Sequence, residues 1–229
     1  MNIAVILAGG VGTRMGADIP KQFITAGGKP VIIHTLERFA KHGEINGIIV
    51  VCVPQWIDYM QKLIVRYSVD KIFTVVPGGS TRRESSLKGA LEADRILSEM
   101  YGEIYDGNGH VLLMHDAARP FVSERIISEN IKAALEKGAC ETVIKVNDTV
   151  LRGKGGLAQE IIPRDEIYLV QTPQSFTPGN ILRAHREVPG DAVITDDAGL
   201  VLAMGGEVAL VDGARENVKI TTPEDLKLF

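Results

Sequence analysis

The chain has 229 residues, 45% of them apolar and 24% charged, with a formal net charge of −4. That length suits one large α/β domain burying roughly 70–75% of its unfolded surface, and the composition is that of an ordinary globular protein. Without an overall basic footprint, nucleic acid is excluded as a main partner, but a nucleotide needs no more than a local cationic pocket.

Ile3 to Leu7 is an apolar run that reads as a buried strand. It breaks into Gly9, Gly10 and Gly12, then Arg14, Pro20 and Lys21, so a strand ends in flexible backbone followed by fixed positive charge. Pro30 to Ala40 carries Val31, Ile33, Leu36 and Phe39 at helical spacing and stops at Gly43. Gly47 to Val53 is an apolar, β-branched run expected to be buried on both faces. Pro54 opens a helix whose stripe of Trp56, Met60, Leu63 and Tyr67 is expected to face the core. Ile72 to Val76 is a third strand, leading through Gly78-Gly79-Ser80-Thr81-Arg82-Arg83 into a helix with Leu87, Leu91 and Ile96.

Val111 to Met114 is the next strand and ends in His115-Asp116-Ala117-Ala118-Arg119-Pro120. Ser123 is placed to cap a helix that Gly138 terminates. From Thr142 the pattern changes: a strand to Val146 leads into a hairpin arm with a glycine-rich tip at 153–156. Helical pieces are expected near Ile181–His185 and Asp196–Met204, a strand at Glu207–Val211, and a short last helix opened by Pro223-Glu224. Cys52 and Cys140 lack metal-ligand spacing and suit buried free thiols. No leader precedes the first strand and no apolar run reaches the ~18–20 residues of a membrane span, so a cytoplasmic location without membrane contact is expected.

Alternating strands and helices imply a largely parallel sheet with right-handed crossovers, and ligands of such sheets sit beyond the strands' carboxyl ends. Residues 8–23, 77–83 and 115–120 all fall at that edge, which points to one site. The dinucleotide pattern fails, because Met15 stands where its third glycine belongs, and Gly28-Lys29-Pro30 breaks the P-loop pattern. Asp116 beside Arg119 is either an ion pair or part of a metal-and-phosphate site. The 78–83 loop suits either a nucleotide or helix capping, and His115 reads as a packed histidine. No nucleophile elbow is present. Cations and backbone donors outnumber acid–base groups, the profile of phosphoryl or nucleotidyl transfer.

Leu7-Ala8-Gly9-Gly10-x-Gly12-Thr13-Arg14-Met15 with Pro20-Lys21-Gln22 resembles the opening of nucleotidyltransferases. With Gly78-Gly79, residues 115–120, Asp148-Thr149, Gln171-Thr172-Pro173-Gln174, Thr195-Asp196-Asp197-Ala198 and Asn217-Val218-Lys219-Ile220-Thr221, the chain resembles the cytidylyltransferases acting on methylerythritol 4-phosphate or ribitol 5-phosphate. The resemblance implies one domain over 1–229, with a Rossmann-like, mostly parallel sheet, helices on both faces and a protruding hairpin arm. It implies transfer from CTP to an alditol phosphate with Mg²⁺, in a homodimer that exchanges arms at about 147–165. Arg14, Lys21 and Lys219 would be catalytic. Ala8, Gly9, Gly10, Gly12, Gly79, Ser85, Asp116 and Ala117 would bind the nucleotide, with Asp116 also holding the metal. Arg119, Thr149, Arg164 and Thr195 would bind the acceptor.

The motifs divide over that acceptor. Leu7–Gly10 and the 163–176 segment look like the ribitol enzymes, whereas Ala117-Ala118-Arg119 and Thr195–Ala198 look like the methylerythritol enzymes, to which the balance tips slightly. Ser80 stands where an acidic residue is frequent. A sugar-1-phosphate nucleotidyltransferase and a nucleotide-binding regulatory protein remain as other classes.

Overall fold

The computed structural model describes residues 1–10 and 19–229. In chain order its principal elements are β1 (Asn2–Ala8), α1 (Val31–Lys41), β2 (Gly47–Cys52), α2 (Ile57–Arg66), β3 (Ile72–Pro77), α3 (Arg82–Tyr101), β4 (Val111–Asp116) and α4 (Glu124–Lys137). They continue with β5 (Ala139–Lys145), β6 (Val150–Lys154), β7 (Leu157–Ile162), β8 (Tyr168–Phe176), α5 (Pro178–Glu187), α6 (Asp197–Ala203) and β9 (Ala209–Asp212).

Seven strands form one sheet in the order β9-β5-β8-β4-β1-β2-β3. Every neighbouring pair is parallel except the two made by β8, which runs against both β4 and β5. The expected mostly parallel, doubly covered sheet is therefore present. Alternate residues of β1 explain its unbroken apolar run: Ala4, Ile6 and Ala8 face the layer of α1, α2 and α4, while Ile3, Val5 and Leu7 face α3, α5 and α6. A strand sandwiched this way has no solvent side to make polar. Trp56, Met60, Leu63 and Tyr67 join the first layer as expected, and both cysteines are free and buried.

Three departures from the sequence reading have physical causes. β8 was not foreseen as a strand, because its buried half is polar and holds Pro173. Pro173 lies where the β8–β5 register shifts between Val170 and Gln174, a position that tolerates a missing N–H. β5 begins at Ala139, three residues early, directly after Gly138 ends α4 at φ +80°. The last helix is a 3₁₀ segment over Pro223–Leu228, fixed by a Thr222–Asp225 capping box. The arm, β6 and β7, pairs with itself outside the main sheet, as expected of a hairpin without a core.

Gly89 lets α3 settle onto the sheet. A Cβ there would lie 2.4 Å from Val5 Cγ1 and 2.9 Å from Val51 Cγ2. Gly89→Ala gains about 1 kcal/mol of helix propensity, but overpacking a close-packed core costs about 1–3 kcal/mol. The clash with two buried strands makes the net effect a loss, read as a lower urea midpoint at unchanged m-value.

Candidate active site

The three loops at the carboxyl ends of β1, β3 and β4 converge on one cavity of about 240 Å³. Gly9, Gly10 and Lys21 line it from the first loop, Gly79 to Arg82 and Ser85 from the second, and Asp116 to Ala118 from the third. Lys219 closes it from a segment more than a hundred residues further along the chain. Leu7 and Gln22 complete the lining.

Each loop is held by bonds of its own. Buried Gln22 donates its amide to the Ala8 carbonyl at 2.7 Å, tying the Lys21 turn to the end of β1. Ser85 Oγ donates to the Thr81 carbonyl (2.9 Å) and accepts from the Gly79 N–H (3.0 Å), so its hydroxyl shapes the second loop. Thr81 caps α3 by accepting from the Glu84 N–H. Ser80 donates through both N–H and Oγ to the Glu84 carboxylate, at 2.7 and 2.8 Å. Arg83 turns away and caps the end of α5, donating to the carbonyls of His185, Val188 and Pro189. The two readings of the 78–83 loop thus divide between neighbouring arginines: Arg83 caps a helix, and Arg82 faces the cavity.

Asp116 is the electrostatic centre. Lys219 Nζ lies 2.7 Å from its Oδ2 and Arg119 Nε lies at 3.9 Å. Burial works against its ionisation, but Lys219, Arg82 and Arg119 outweigh it and hold the carboxyl down at about 2. His115 is fully buried, with Nε2 3.0 Å from the Arg119 carbonyl and Nδ1 3.1 Å from Thr172 Oγ1. The Arg119 carbonyl can only accept, so the neutral ring carries its proton on Nε2, and Thr172 Oγ1, which accepts from the Asp116 N–H, donates to Nδ1. Burial lowers this histidine to about 4, and a neutral packed ring is what the sequence suggested.

Lys219 is positioned from both sides. Asn217 donates its side-chain amide to the Thr172 carbonyl and to Gln171 Oε1 on β8, and the Ile220 N–H donates to the Ala118 carbonyl. Arg119 is turned beneath the site, donating through Nη1 to the Asn217 carbonyl, and does not line the cavity. Ala8 is buried, Thr195 is exposed on the loop before α6, and Thr149 is exposed on the approach to the arm. Arg164 donates to the Asn147 carbonyl across a second, open cleft with Lys145 and Asp165. One chain therefore brings Gly9, Gly10, Gly79, Ser85, Asp116 and Ala117 of the nucleotide candidates to one cavity, without Ala8, and does not unite the acceptor candidates. Gly12 and Arg14 lie outside the described residues.

Sequence reasoning passed over a polar cluster beside the cavity. Gln174 donates to Glu141 Oε1 (2.5 Å) and Asp196 Oδ2 (3.0 Å), while its own oxygen accepts from the Asp197 N–H (3.0 Å). Arg82 Nη2 lies 2.8 Å from Asp197 Oδ2. The signal was the motif pair Gln174 and Asp196-Asp197, whose contact no spacing rule reveals.

Backbone donors and cations gathered at the edge of a parallel sheet, around one ionised carboxylate, define an enzyme that transfers nucleotidyl groups. The IspD family model, described as 2-C-methyl-D-erythritol 4-phosphate cytidylyltransferase, matches residues 2–229. A ribitol-5-phosphate cytidylyltransferase from Vibrio parahaemolyticus is 39% identical over 100% of this chain and 94% of its own. A 2-C-methyl-D-erythritol 4-phosphate cytidylyltransferase from Clostridium novyi is 37% identical over 99% of this chain and 94% of its own. Among solved structures, 4-diphosphocytidyl-2C-methyl-D-erythritol synthase from Anaerococcus prevotii superposes with a TM-score of 0.80 at 29% identity, covering 99% and 93% of the two chains. The chain belongs to the IspD cytidylyltransferase family and is a CTP-dependent nucleotidyltransferase.

Glu141 offers a test of the polar cluster. Burial, reinforced by the Asp196 carboxylate, pushes this 8%-exposed side chain up to about 8 from an ordinary 4.5. The native state then holds a proton that the unfolded chain releases, so stability falls as pH rises from 4.5 through about 8. Glu141→Gln is expected to flatten that slope in denaturant titrations across pH 5–9. An unchanged slope would mean that Glu141 is ionised in the folded protein.

Proposed function

We propose that the protein transfers CMP from CTP to the phosphate of a small alditol phosphate, releasing pyrophosphate, with ribitol 5-phosphate as the acceptor. The observation that carries the chemistry is the cavity lining: Lys21, Lys219 and glycine backbone surround it, and its carboxylate, Asp116, is too weak a base to take a proton near neutral pH. A phosphate monoester needs no such base, because its oxygen is already ionised. That oxygen forms a bond to the α-phosphorus of CTP, and the bond from this phosphorus to the β-bridging oxygen breaks. Pyrophosphate leaves with the electron pair and no proton has to move. Lys21, Lys219 and, from the opening motif, Arg14 would hold the charge that builds on the α-phosphate and leaving group.

Mg²⁺ fits this donor set. It takes one or two protein carboxylates and completes its shell with water and substrate phosphates. Asp116 supplies one ionised carboxylate, and the described residues hold no cluster of three acidic, histidine or cysteine side chains. Asp116 would hold the ion, which when bound neutralises triphosphate charge.

The acceptor reading rests on the 39% identity to the ribitol enzyme and on the ribitol-like 163–176 segment. Methylerythritol 4-phosphate is the second reading, favoured by the family model and by Ala117-Ala118-Arg119. We also propose a homodimer in which the arm carries Thr149 and Arg164 to the neighbouring cavity. Leu151, Leu157 and Ile161 on the arm are 55%, 74% and 73% exposed, a set of apolar side chains suited to a partner. No helix among the described residues is long and apolar enough to cross a membrane.

Pyrophosphate release from CTP with ribitol 5-phosphate, methylerythritol 4-phosphate and glycerol phosphate tests the reading. Ribitol 5-phosphate is expected to lead in kcat/KM by at least about tenfold, and a lead for methylerythritol 4-phosphate would transfer the assignment to it. Lys21→Ala is expected to lower turnover by on the order of 10²–10⁴ with the fold intact, and near-normal turnover would remove the clamp mechanism. The double substitution Leu157→Asp, Ile161→Asp is expected to halve the mass seen by light scattering and to abolish acceptor use while CTP still binds.

A further inference from the structure

Arg82 has no role in the transfer chemistry above, yet it is a cation on the cavity wall with a carboxylate partner on the other side. Its Nη2 lies 2.8 Å from Asp197 Oδ2. Asp197 is 1% exposed, and neither carboxylate oxygen has any other partner among the described residues. Burial works against the charge on Arg82, but Asp197, Asp116 and Asp196 outweigh it and keep it firmly protonated. One side chain therefore lines the nucleotide cavity and pairs with a buried carboxylate at the start of α6.

The surrounding bonds make this pair a link between two halves. Arg82 opens α3, next to Gly79 and Thr81, and the same turn is braced by Ser85. Asp197 opens α6, whose N-cap Asp196 accepts from the Gly199 N–H at 2.9 Å, and Thr195 stands immediately before it. Gln174 grips this loop from β8, so Arg82 and Gln174 both hold it. Arg82 thus lines the cavity and meets Asp197 with a planar fork, which holds a carboxylate in a more fixed geometry than a flexible ammonium does.

We propose that Arg82 is a positioning residue whose ion pair with Asp197 couples the nucleotide cavity to the acceptor loop at 195–197, so that bound CTP sets that loop for the second substrate. The inference rests on CTP being the nucleotide, as proposed above. Phosphate charge arriving near Asp116 changes the field around Arg82, and Asp197 passes the change to the start of α6. The coupling is reciprocal, so the acceptor must tighten CTP by the same factor.

Hydrogen exchange of residues 195–203 with and without saturating CTP, in the full-length protein, tests the link without needing turnover. CTP is expected to protect this segment by about fivefold or more in the wild type, and Arg82→Gln and the near-isosteric Asp197→Asn are each expected to abolish that protection. Kinetically, both variants should raise the acceptor KM by about tenfold, and Asp197→Asn, which leaves the cavity lining intact, should keep CTP affinity within about threefold. Arg82→Lys should restore less than half of the exchange effect, because it keeps the charge without the fork. Protection that survives in the variants, or CTP affinity that falls in Asp197→Asn as far as acceptor affinity does, would overturn the proposal. CTP binding to the wild type without protection would overturn it too. Failure of the wild type to bind CTP would instead remove the functional reading on which it rests.

Discussion

A half-buried anion needs compensation, and Asp116 at the end of β4 obtains it from three places far apart in the chain. Arg82 comes from the start of α3, Arg119 from the following turn, and Lys219 from the C-terminal segment at 2.7 Å. Removing a charged side chain from water costs several kcal/mol, and a buried pair is stabilising only if its geometry and remaining hydrogen bonds are good. Much of the polar scaffolding reads as meeting that condition. Asn217 and Ile220 fix the segment that bears Lys219, and Thr172 takes the Asp116 N–H while orienting His115. The ion pair is less a source of stability than a reason for the chain to arrive at one particular place.

β8 is what makes that arrival possible. It is inserted antiparallel between β4 and β5, so its buried polar residues reach both the segment that bears Lys219 and the start of α6. Gln171 and Thr172 hold Asn217, while Gln174 holds Glu141, Asp196 and the start of α6. An apolar strand of the same length would pack as well but would leave both segments without anchors. The polarity that disguises β8 as a strand is also what organises the site.

The alternation of strands and helices was readable because both faces of the sheet are covered: β1 and β2 show continuous apolar runs, and α4 carries its cap at Ser123 and its stop at Gly138. The nucleotide half was readable because backbone approach demands glycine, and glycine close to lysine is visible in one dimension. β8 escaped because no periodicity marks a strand whose inward residues are Gln, Thr and Ser. Arg82 escaped because adjacent arginines look alike until one is seen to cap α5 and the other to meet Asp197. Glu141, within a strand of mostly apolar residues, gave no hint that it would share Gln174 with Asp196.

The difference between the two half-sites also explains why the acceptor was the harder part to read. The nucleotide cavity is built on the ends of β1, β3 and β4, three strands that register directly or through β2. Its geometry follows from the sheet, so a few glycines and lysines declare it. The candidate acceptor residues sit on a turn beneath the site, on a loop before α6 and on an arm outside the main sheet, with Arg164 facing a different cleft. None of those positions is dictated by sheet register, so on the proposed reading the acceptor can change with the loops while the cavity stays put. On the proposed reading, a device such as the Arg82–Asp197 pair becomes necessary, because a rigid half and a loop-built half must be brought into one geometry before phosphate oxygen and α-phosphorus can meet.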